Sequence, residues 1–318
     1  MTGRALVTGS QGFVGRVLCE HLTASGWEVV GCDVQPPPEC DTRMACDIVD
    51  PTQVDRLIAW AGPLTHVFHL AAVTFVPQAM RDPARAFEIN VVGTVRLITA
   101  VRHAWPNARI VHVSSAEVYG RPHRLPMREG HALNPVNPYA VSKMAADLYT
   151  SYLCRAEDAD IVCMRPFNHS GPGQSPRFVL SDFARQVAEI EAGHIPPTLR
   201  VGNLNAARDF SHVRDVVRAY TLAALQGGGG EVYNVCSGQA RTVQSALDGL
   251  LSLSSASVTV EVDEARLRPV DVPEIYGSYE RLNADTGWEP AIPFESLLKD
   301  LLEYWRVEVA TKGGSGGI

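Results

Sequence analysis

The sequence has no run of about 18 apolar residues, so no helical membrane span is expected. It is short of positive charge: 28 Lys and Arg stand against 35 Asp and Glu, for a net charge of −7. Polyanion binding needs a basic face, which argues against a nucleic-acid partner. A small anionic ligand stays open, because a few local arginines can hold one. Metal-ligand spacing is also missing. His69, His112, His169 and His212 read as core or solvated histidines, and no metal is expected. No C-x-x-C pair occurs among Cys19, Cys32, Cys40, Cys46, Cys154, Cys163 and Cys236. Their odd number, and their places in apolar runs such as DIVCMRP, read as reduced thiols of a cytoplasmic protein. Nothing near them would lower a thiol pKa for catalysis. The first ten residues run straight into a strand and a turn, so no signal peptide is expected.

What is present is a rhythm. The 318 residues are 46% hydrophobic, ample for a sizeable core. Short β-rich runs at 5–9, 28–33, 66–72, 109–115 and 160–166 alternate with helical patterns at 12–25, 52–60, 83–104 and 139–157. Near-continuous apolar strands separated by helices predict an α/β fold with a doubly wound parallel sheet, the Rossmann plan. After residue 166 Pro and Gly become denser. A helix at 177–193, a strand at 198–202, a helix at 212–225, a strand at 231–237 and a helix at 294–308 follow. We expect a dinucleotide-binding domain of residues 1–166 with returning segments at about 212–237. A smaller, interleaved C-terminal substrate-binding lobe takes 167–211 and 238–308, and 309–318 reads as a disordered tail.

Gly9, Gly12 and Gly15 follow the first strand directly, in GSQGFVG. A glycine turn opening a helix brings backbone N–H groups and the positive end of the helix dipole to a pyrophosphate. Gln11, Phe13 and Val14 belong to the same turn. An acid at the end of the next strand, Asp33, stands where a carboxylate accepts the adenosine ribose hydroxyls and repels a 2′-phosphate. No arginine follows at 34–38. NAD(H) is therefore favoured, with NADP(H) the alternative. Asp47 and Ile48 are candidates for contact with adenine. Otherwise Asp47 is simply a strand-end acid.

The strand RIVHVSS delivers Ser114 and Ser115 at its C-terminal end, where ligands of such sheets gather. Tyr139 and Lys143 are four apart at the start of a helix and share a face. A free phenol titrates near pH 10. An adjacent ammonium favours the phenolate and should lower that value, so that the tyrosine exchanges protons near neutrality. A serine hydroxyl can then hydrogen-bond the same substrate oxygen.

Taken together, TGSQGFVG (8–15), HLAA (69–72), INVVGT (89–94), SSAEVYG (114–120), YAVSK (139–143) and RPFNHSGPG (165–173) resemble the extended short-chain dehydrogenase/reductases of the nucleotide-sugar branch. The resemblance implies that Ser115, Tyr139 and Lys143 are catalytic. It places Leu70, Ala71, Ala72 and Asn90 about the coenzyme, with Asn90 in the proton-relay network, and it implies a homodimer built on helices 83–104 and 139–157. A non-catalytic dinucleotide sensor usually lacks the YxxxK pair that is kept here.

The second half resembles the GDP-mannose group of that family, in RPFNHSGPGQSPRFVLSDFARQ, VGNLNAARDFSHVRDVVRAY and LRPVDVPEIYGSYERLNADTGWEP. That likeness implies a GDP-linked sugar substrate. Asn168 and Arg208 would hold the diphosphate, Arg268 would be a further clamp, and Val179 would lie near the guanine. Glu117 sits where dehydratases of the group place a general base. The run SQGFVGRVL and the arginine-free QPPPEC depart from the dehydratase pattern, and the stretch AAVTFVPQAMRDP resembles the reductases. The implied activity is reduction of the C4 ketone of GDP-4-keto-6-deoxy-D-mannose to GDP-D-rhamnose. A GDP-mannose 4,6-dehydratase, or another NAD-dependent nucleotide-sugar dehydratase or epimerase, is the alternative.

Overall fold

A computed structural model describes residues 3–35, 40–266 and 272–313. The chain divides into two compact units. The first comprises residues up to Phe167 with Val216–Val235 and Ser278–Glu289. The second comprises Asn168–Asp215, Cys236–Gly277 and the stretch from Pro290 onward.

The first unit is built on seven strands: β1 (Arg4–Thr8), β2 (Glu28–Asp33), β3 (Arg43–Ala45), β4 (His66–His69), β5 (Arg109–Val113), β6 (Ile161–Pro166) and β10 (Val232–Val235). Their order is β10-β6-β5-β4-β1-β2-β3, and every pairing is parallel. The strands read as apolar runs because helices cover both faces. On one face Ala5, Val7, Phe68, Val111 and Val162 pack with Leu18 and Leu22 of α1 (Phe13–Ala24) and with Val216 and Tyr220 of α8 (Val213–Gln226). On the other, Leu6, Val30, Val67, Ile110 and Ile161 pack with Val54 and Leu57 of α2 (Pro51–Ala61) and with Leu97, Ile98 and Val101 of α5 (Thr94–Ala104). Each fully buried aliphatic side chain contributes about 1.5–3 kcal/mol.

One row on the second face breaks the apolar pattern. Cys32, Thr8, His69, His112 and Cys163 stand side by side in register across five strands, and all are buried. They lie at the carboxyl ends of the strands, directly above the apolar row Val30, Leu6, Val67, Ile110 and Ile161. Buried polar groups cost stability unless they are hydrogen-bonded, so this row needs a functional account.

Helix starts follow local rules. Asp50 caps α2 by accepting from Thr52 N (2.9 Å), with Pro51 in the first turn. Asn137 caps α6 (Pro138–Glu157) by accepting from Ala140 N (2.8 Å), with Pro138 next. The Asn-Pro start sets the first residue of the helix, and so sets Tyr139 in its opening turn.

Several expectations need correction. The helix expected at 83–104 is three pieces: α4 (Pro83–Phe87), a π-helical turn (Glu88–Gly93) and α5. β3 and α3 (Val76–Arg81) have no counterpart in the expected elements, being too short to show a period. The fourth strand of the sheet, expected over 66–72, ends at His69, and Leu70–Ala72 form a loop. Ser278–Glu289, including α10 (Glu280–Thr286), belongs to the first unit because Leu282 and Trp288 are buried in its core.

The second unit holds β7 (Asn168–Ser170), β8 (Thr198–Val201), β9 (Ala207–His212), β11 (Ala240–Thr242), β12 (Thr259–Val262) and β13 (Glu274–Ile275). β9 pairs with β11, β13 and β7, while β12 pairs with β8. Its core joins Phe183 and Val187 of α7 (Val179–Glu191), Leu247 and Leu250 of α9 (Val243–Ser252), and Leu298, Leu301 and Trp305 of α11 (Phe294–Gly313). α11 extends past the expected start of a disordered tail, because Val309 continues its buried stripe. Residues 314–318 lie outside the described residues. No helix among the described residues is long and apolar enough to cross a membrane.

Candidate active site

The glycine turn is shaped by close backbone approach. Gly9 has φ +71°, and a Cβ there would lie 2.9 Å from Ala71 N and 3.1 Å from the carbonyl carbon of Leu70. A Cβ on Gly15 would run into the carbonyl oxygen of Gly9. Gly12 donates to Gly9 O (3.0 Å) and caps α1 without any side-chain partner. Asp33 closes β2 beside this turn: its Oδ2 accepts Gln11 N (3.0 Å) and its Oδ1 accepts Val34 N (2.8 Å). Phe13 and Val14 form the first turn of α1, and Val14 packs on the core. This cradle, a glycine turn opening a helix with a strand-end carboxylate beside it, fits a dinucleotide pyrophosphate and its adenosine ribose.

The outer candidates are more engaged. Asp47 accepts Val49 N (3.0 Å) and Arg85 Nη2 (3.0 Å), so protein groups occupy both carboxylate oxygens. Ile48 is buried, with its side chain against Gly93. Ala72 lies in the loop after β4 with Leu70 and Ala71. Arg43 of β3 brings a guanidinium to 3.4 Å from Ser10 O, a cation near the glycine turn that the spacing after Asp33 did not reveal.

Ser115, Glu117, Tyr139 and Lys143 come together at the carboxyl end of β5 and the start of α6. The Tyr139 phenol is hydrogen-bonded to Ser115, and Glu117 stands close enough to act on its charge. Ser115 also accepts Glu117 N (3.2 Å), while Glu117 Oε2 accepts Asn137 Nδ2 (3.1 Å). The Tyr139 ring packs among Val73, Ala79 and Ala86. Lys143, 5% exposed, donates from Nζ to Val113 O (2.5 Å).

The expected lowering of the phenol is not what this geometry gives. Burial pushes Tyr139 up to about 12, with the Ser115 bond pulling the other way and the Glu117 charge adding to the rise. Lys143 is instead the group that moves down, to about 8, because burial penalises its ammonium. Its Nζ is bonded to a backbone carbonyl, and the phenol stays in its acid form at neutral pH.

Asn90 is buried in the π-helical turn. Its Oδ1 accepts Val73 N (2.7 Å), and its Nδ2 donates to Val73 O (3.1 Å) and Ser142 Oγ (2.9 Å). Ser142 in turn donates to Tyr139 O (2.7 Å). Asn90 thus fastens the loop after β4 to the helix of Tyr139.

Sequence reasoning missed the ion pair beneath the site. Arg165 donates from Nε to Asp147 Oδ2 (2.8 Å) and from Nη2 to Oδ1 (3.1 Å). Ser114 donates to the same Oδ2 (2.9 Å). The available signal was position: Asp147 follows Lys143 by four residues on the same helix face.

In the second unit, β7 and β9 put Asn168 and Arg208 on adjacent strands, with Asn168 paired to Phe210. Arg208 Nη1 donates to Ala207 O and Val272 O, both at 2.8 Å. Its strand is pinned by buried Asp209, which accepts Ser237 N (2.6 Å) and Gly238 N (3.0 Å). Val179 opens α7 and is 37% exposed. Arg268 lies outside the described residues.

The GDP-mannose 4,6 dehydratase family model matches residues 6–301. GDP-6-deoxy-D-mannose reductase of Pseudomonas aeruginosa is 36% identical over 97% of this chain and 99% of its own. Among solved structures, RMD from Pseudomonas aeruginosa complexed with NADPH superposes with a TM-score of 0.87 at 35% identity, over 96% of this chain and all of that one. The Thermus thermophilus UDP-glucose 4-epimerase complex with NAD gives 0.84 at 29% identity, over 95% and 99%. A match across almost the whole chain, with a full-length relative at this identity, means that the chain belongs to the GDP-mannose 4,6 dehydratase family.

Proposed function

We propose that the protein reduces the C4 ketone of GDP-4-keto-6-deoxy-D-mannose to GDP-D-rhamnose. The observation that carries this reading is a buried phenol kept protonated at neutral pH and hydrogen-bonded to Ser115. A ketone reductase needs its tyrosine as an acid, whereas a group that must remove a proton needs it as a base. A nicotinamide dinucleotide held by the glycine turn, Asp33 and the Leu70–Ala72 loop supplies the hydride when bound. Tyr139 donates a proton to O4, Ser115 hydrogen-bonds that oxygen, and the Lys143 ammonium favours negative charge there. Asn168 and Arg208 hold the diphosphate, with Arg268 as a further clamp and Val179 near the base. The Asp33 carboxylate favours NAD(H) over NADP(H), although Arg43 provides a cation for the latter.

The dehydratase or epimerase reading draws on Glu117, an acid beside Tyr139. One experiment separates them. Purified protein with the keto sugar nucleotide and NADH should yield GDP-D-rhamnose, with a larger kcat/KM than with NADPH. Tyr139→Phe should lower kcat by about 10²–10⁴ while NADH still binds. A 4-keto product formed from GDP-mannose without added coenzyme would overturn the reductase reading.

A cytoplasmic homodimer completes the proposal. Seven free thiols suit a reducing compartment. Along α6, Val141, Ala145, Leu148 and Tyr152 repeat at spacings of four, three and four, and Leu148 and Tyr152 are each 49% exposed. Sedimentation should give twice the 34.5 kDa chain mass, and Leu148→Lys with Tyr152→Glu should shift it to one. Monomeric wild-type protein at micromolar concentration would refute the dimer.

A further inference from the structure

Resting on the dinucleotide reading, we propose that His69 is a positioning residue of that site: a neutral imidazole, protonated on Nε2, in a one-directional hydrogen-bond chain that sets the coenzyme-facing loop against the glycine turn. The direction follows from groups whose roles are fixed. Ala71 N can only donate, and it reaches Thr8 Oγ1 at 3.2 Å. Thr8 therefore has its own proton to give to His69 Nδ1, at 2.8 Å. At the far end Asn90 O can only accept, and Thr94 Oγ1 donates to it at 2.8 Å. The 2.8 Å contact between Thr94 Oγ1 and His69 Nε2 then requires the proton on Nε2. The chain reads Ala71 N–H to Thr8, Thr8 to His69, His69 to Thr94, Thr94 to Asn90.

Each end of this chain carries part of the site. Ala71 is the residue that a Cβ on Gly9 would strike. Asn90 grips Val73 by both backbone groups and reaches Ser142, which bonds to Tyr139 O. Loop 71–73 is thus held from two sides by hydrogen bonds that point one way. A second proton on Nδ1 would turn that nitrogen into a donor facing the Thr8 hydroxyl. The hydroxyl oxygen, which already receives Ala71 N, would then have to take two donors and give up its own bond to the ring. The surroundings of the ring oppose that state as well. Burial holds His69 well below the usual histidine range, and the His112 ring of β5, 5.7 Å away between centroids, and the Lys143 ammonium of α6 push the same way.

The test uses the full chain with 15N-labelled histidine. The His69 signal is identified by its loss in His69→Phe. We expect the Nε2–H tautomer, unchanged from pH 5.5 to 8.5. NADH titration calorimetry should show Kd rising about tenfold in His69→Phe and several-fold in Thr8→Val and Thr94→Val. In the two threonine variants kcat at saturating NADH should stay within about twofold, a split that general loss of folded protein would not give. Thr94→Val should also free the His69 ring to change tautomer. An Nδ1–H or titrating His69 in the folded wild type overturns the proposal, as does unchanged NADH affinity in all three variants. If wild-type protein binds neither NADH nor NADPH, the dinucleotide reading falls, and this inference falls with it.

Discussion

Replacing Lys143 with methionine should remove most of the catalytic rate and still make the fold more stable. The ammonium is 5% exposed, and burial lowers it from its ordinary value near 10.5 to about 8. The folded value lies below the unfolded one, so between about pH 8 and 10.5 the unfolded chain holds more protons. Stability therefore rises with pH through that window, and the full cost of the buried charge is present below pH 8. That cost is about 3 kcal/mol at pH 7. Methionine fills a similar volume without charge. The Val113 carbonyl then loses a donor, which returns about 1–2 kcal/mol of the gain. A net stabilisation of about 1–2 kcal/mol at pH 7 should appear as a rise of a few degrees in Tm. The same change should lower kcat by about 10²–10⁴, because no cation is left to favour negative charge at the reacting oxygen. The pH profile gives a second check. Ketone reduction by the wild type should fall above about pH 8 as the ammonium deprotonates, and the variant should lack that limb. A variant that melts lower and keeps the wild-type profile would show that the lysine serves packing instead.

Lys143 also shows what can be read from a sequence and what cannot. The chain contains only three lysines, and one of them is buried in the first unit. The YxxxK spacing pointed to it, and the Asn-Pro start fixed it in the opening turns of α6. The five longer strands of the first half were legible because a sheet covered on both faces demands apolar runs. β3, α3 and the π-helical turn were not, because three to six residues carry no usable period and a π-turn preserves the helical pattern around it. The direction of the Tyr139 shift is not legible in the sequence for a different reason. Spacing says that an ammonium is near, but only coordinates say how deeply both groups are buried and that Nζ is spent on a carbonyl. In the sequence His69 reads as one letter of HLAA and as a core or solvated histidine. Its role depends on Thr8 and Thr94, 61 and 25 residues away in sequence.

The ion pair of Asp147 and Arg165 is marked in the sequence only by the i, i+4 position of Asp147, since sequence does not show which charges are buried. It gives the largest expected change in stability. Asp147 is fully buried and Arg165 is 5% exposed, and two hydrogen bonds of 2.8 and 3.1 Å join them. Arg165 also donates to Tyr119 Oη (3.0 Å), which donates to Asn234 Oδ1 (2.8 Å), so the guanidinium ties β6 to β10. Asp147→Leu leaves that guanidinium buried without its counter-ion and should lower stability by about 3–5 kcal/mol. Adding Arg165→Met removes the stranded charge and should recover most of the loss, giving a coupling of at least about 2–3 kcal/mol in a double-mutant cycle read by urea unfolding. Activity should not recover in parallel. Ser114 donates to Asp147 Oδ2, and the adjacent Val113 carbonyl receives Lys143, so the carboxylate holds the end of the strand that carries Ser115. The double variant should therefore be folded and still impaired in kcat. Additive effects of the two substitutions on stability would mean that the pair is not coupled. Full activity in the double variant would mean that Asp147 does nothing for the strand end.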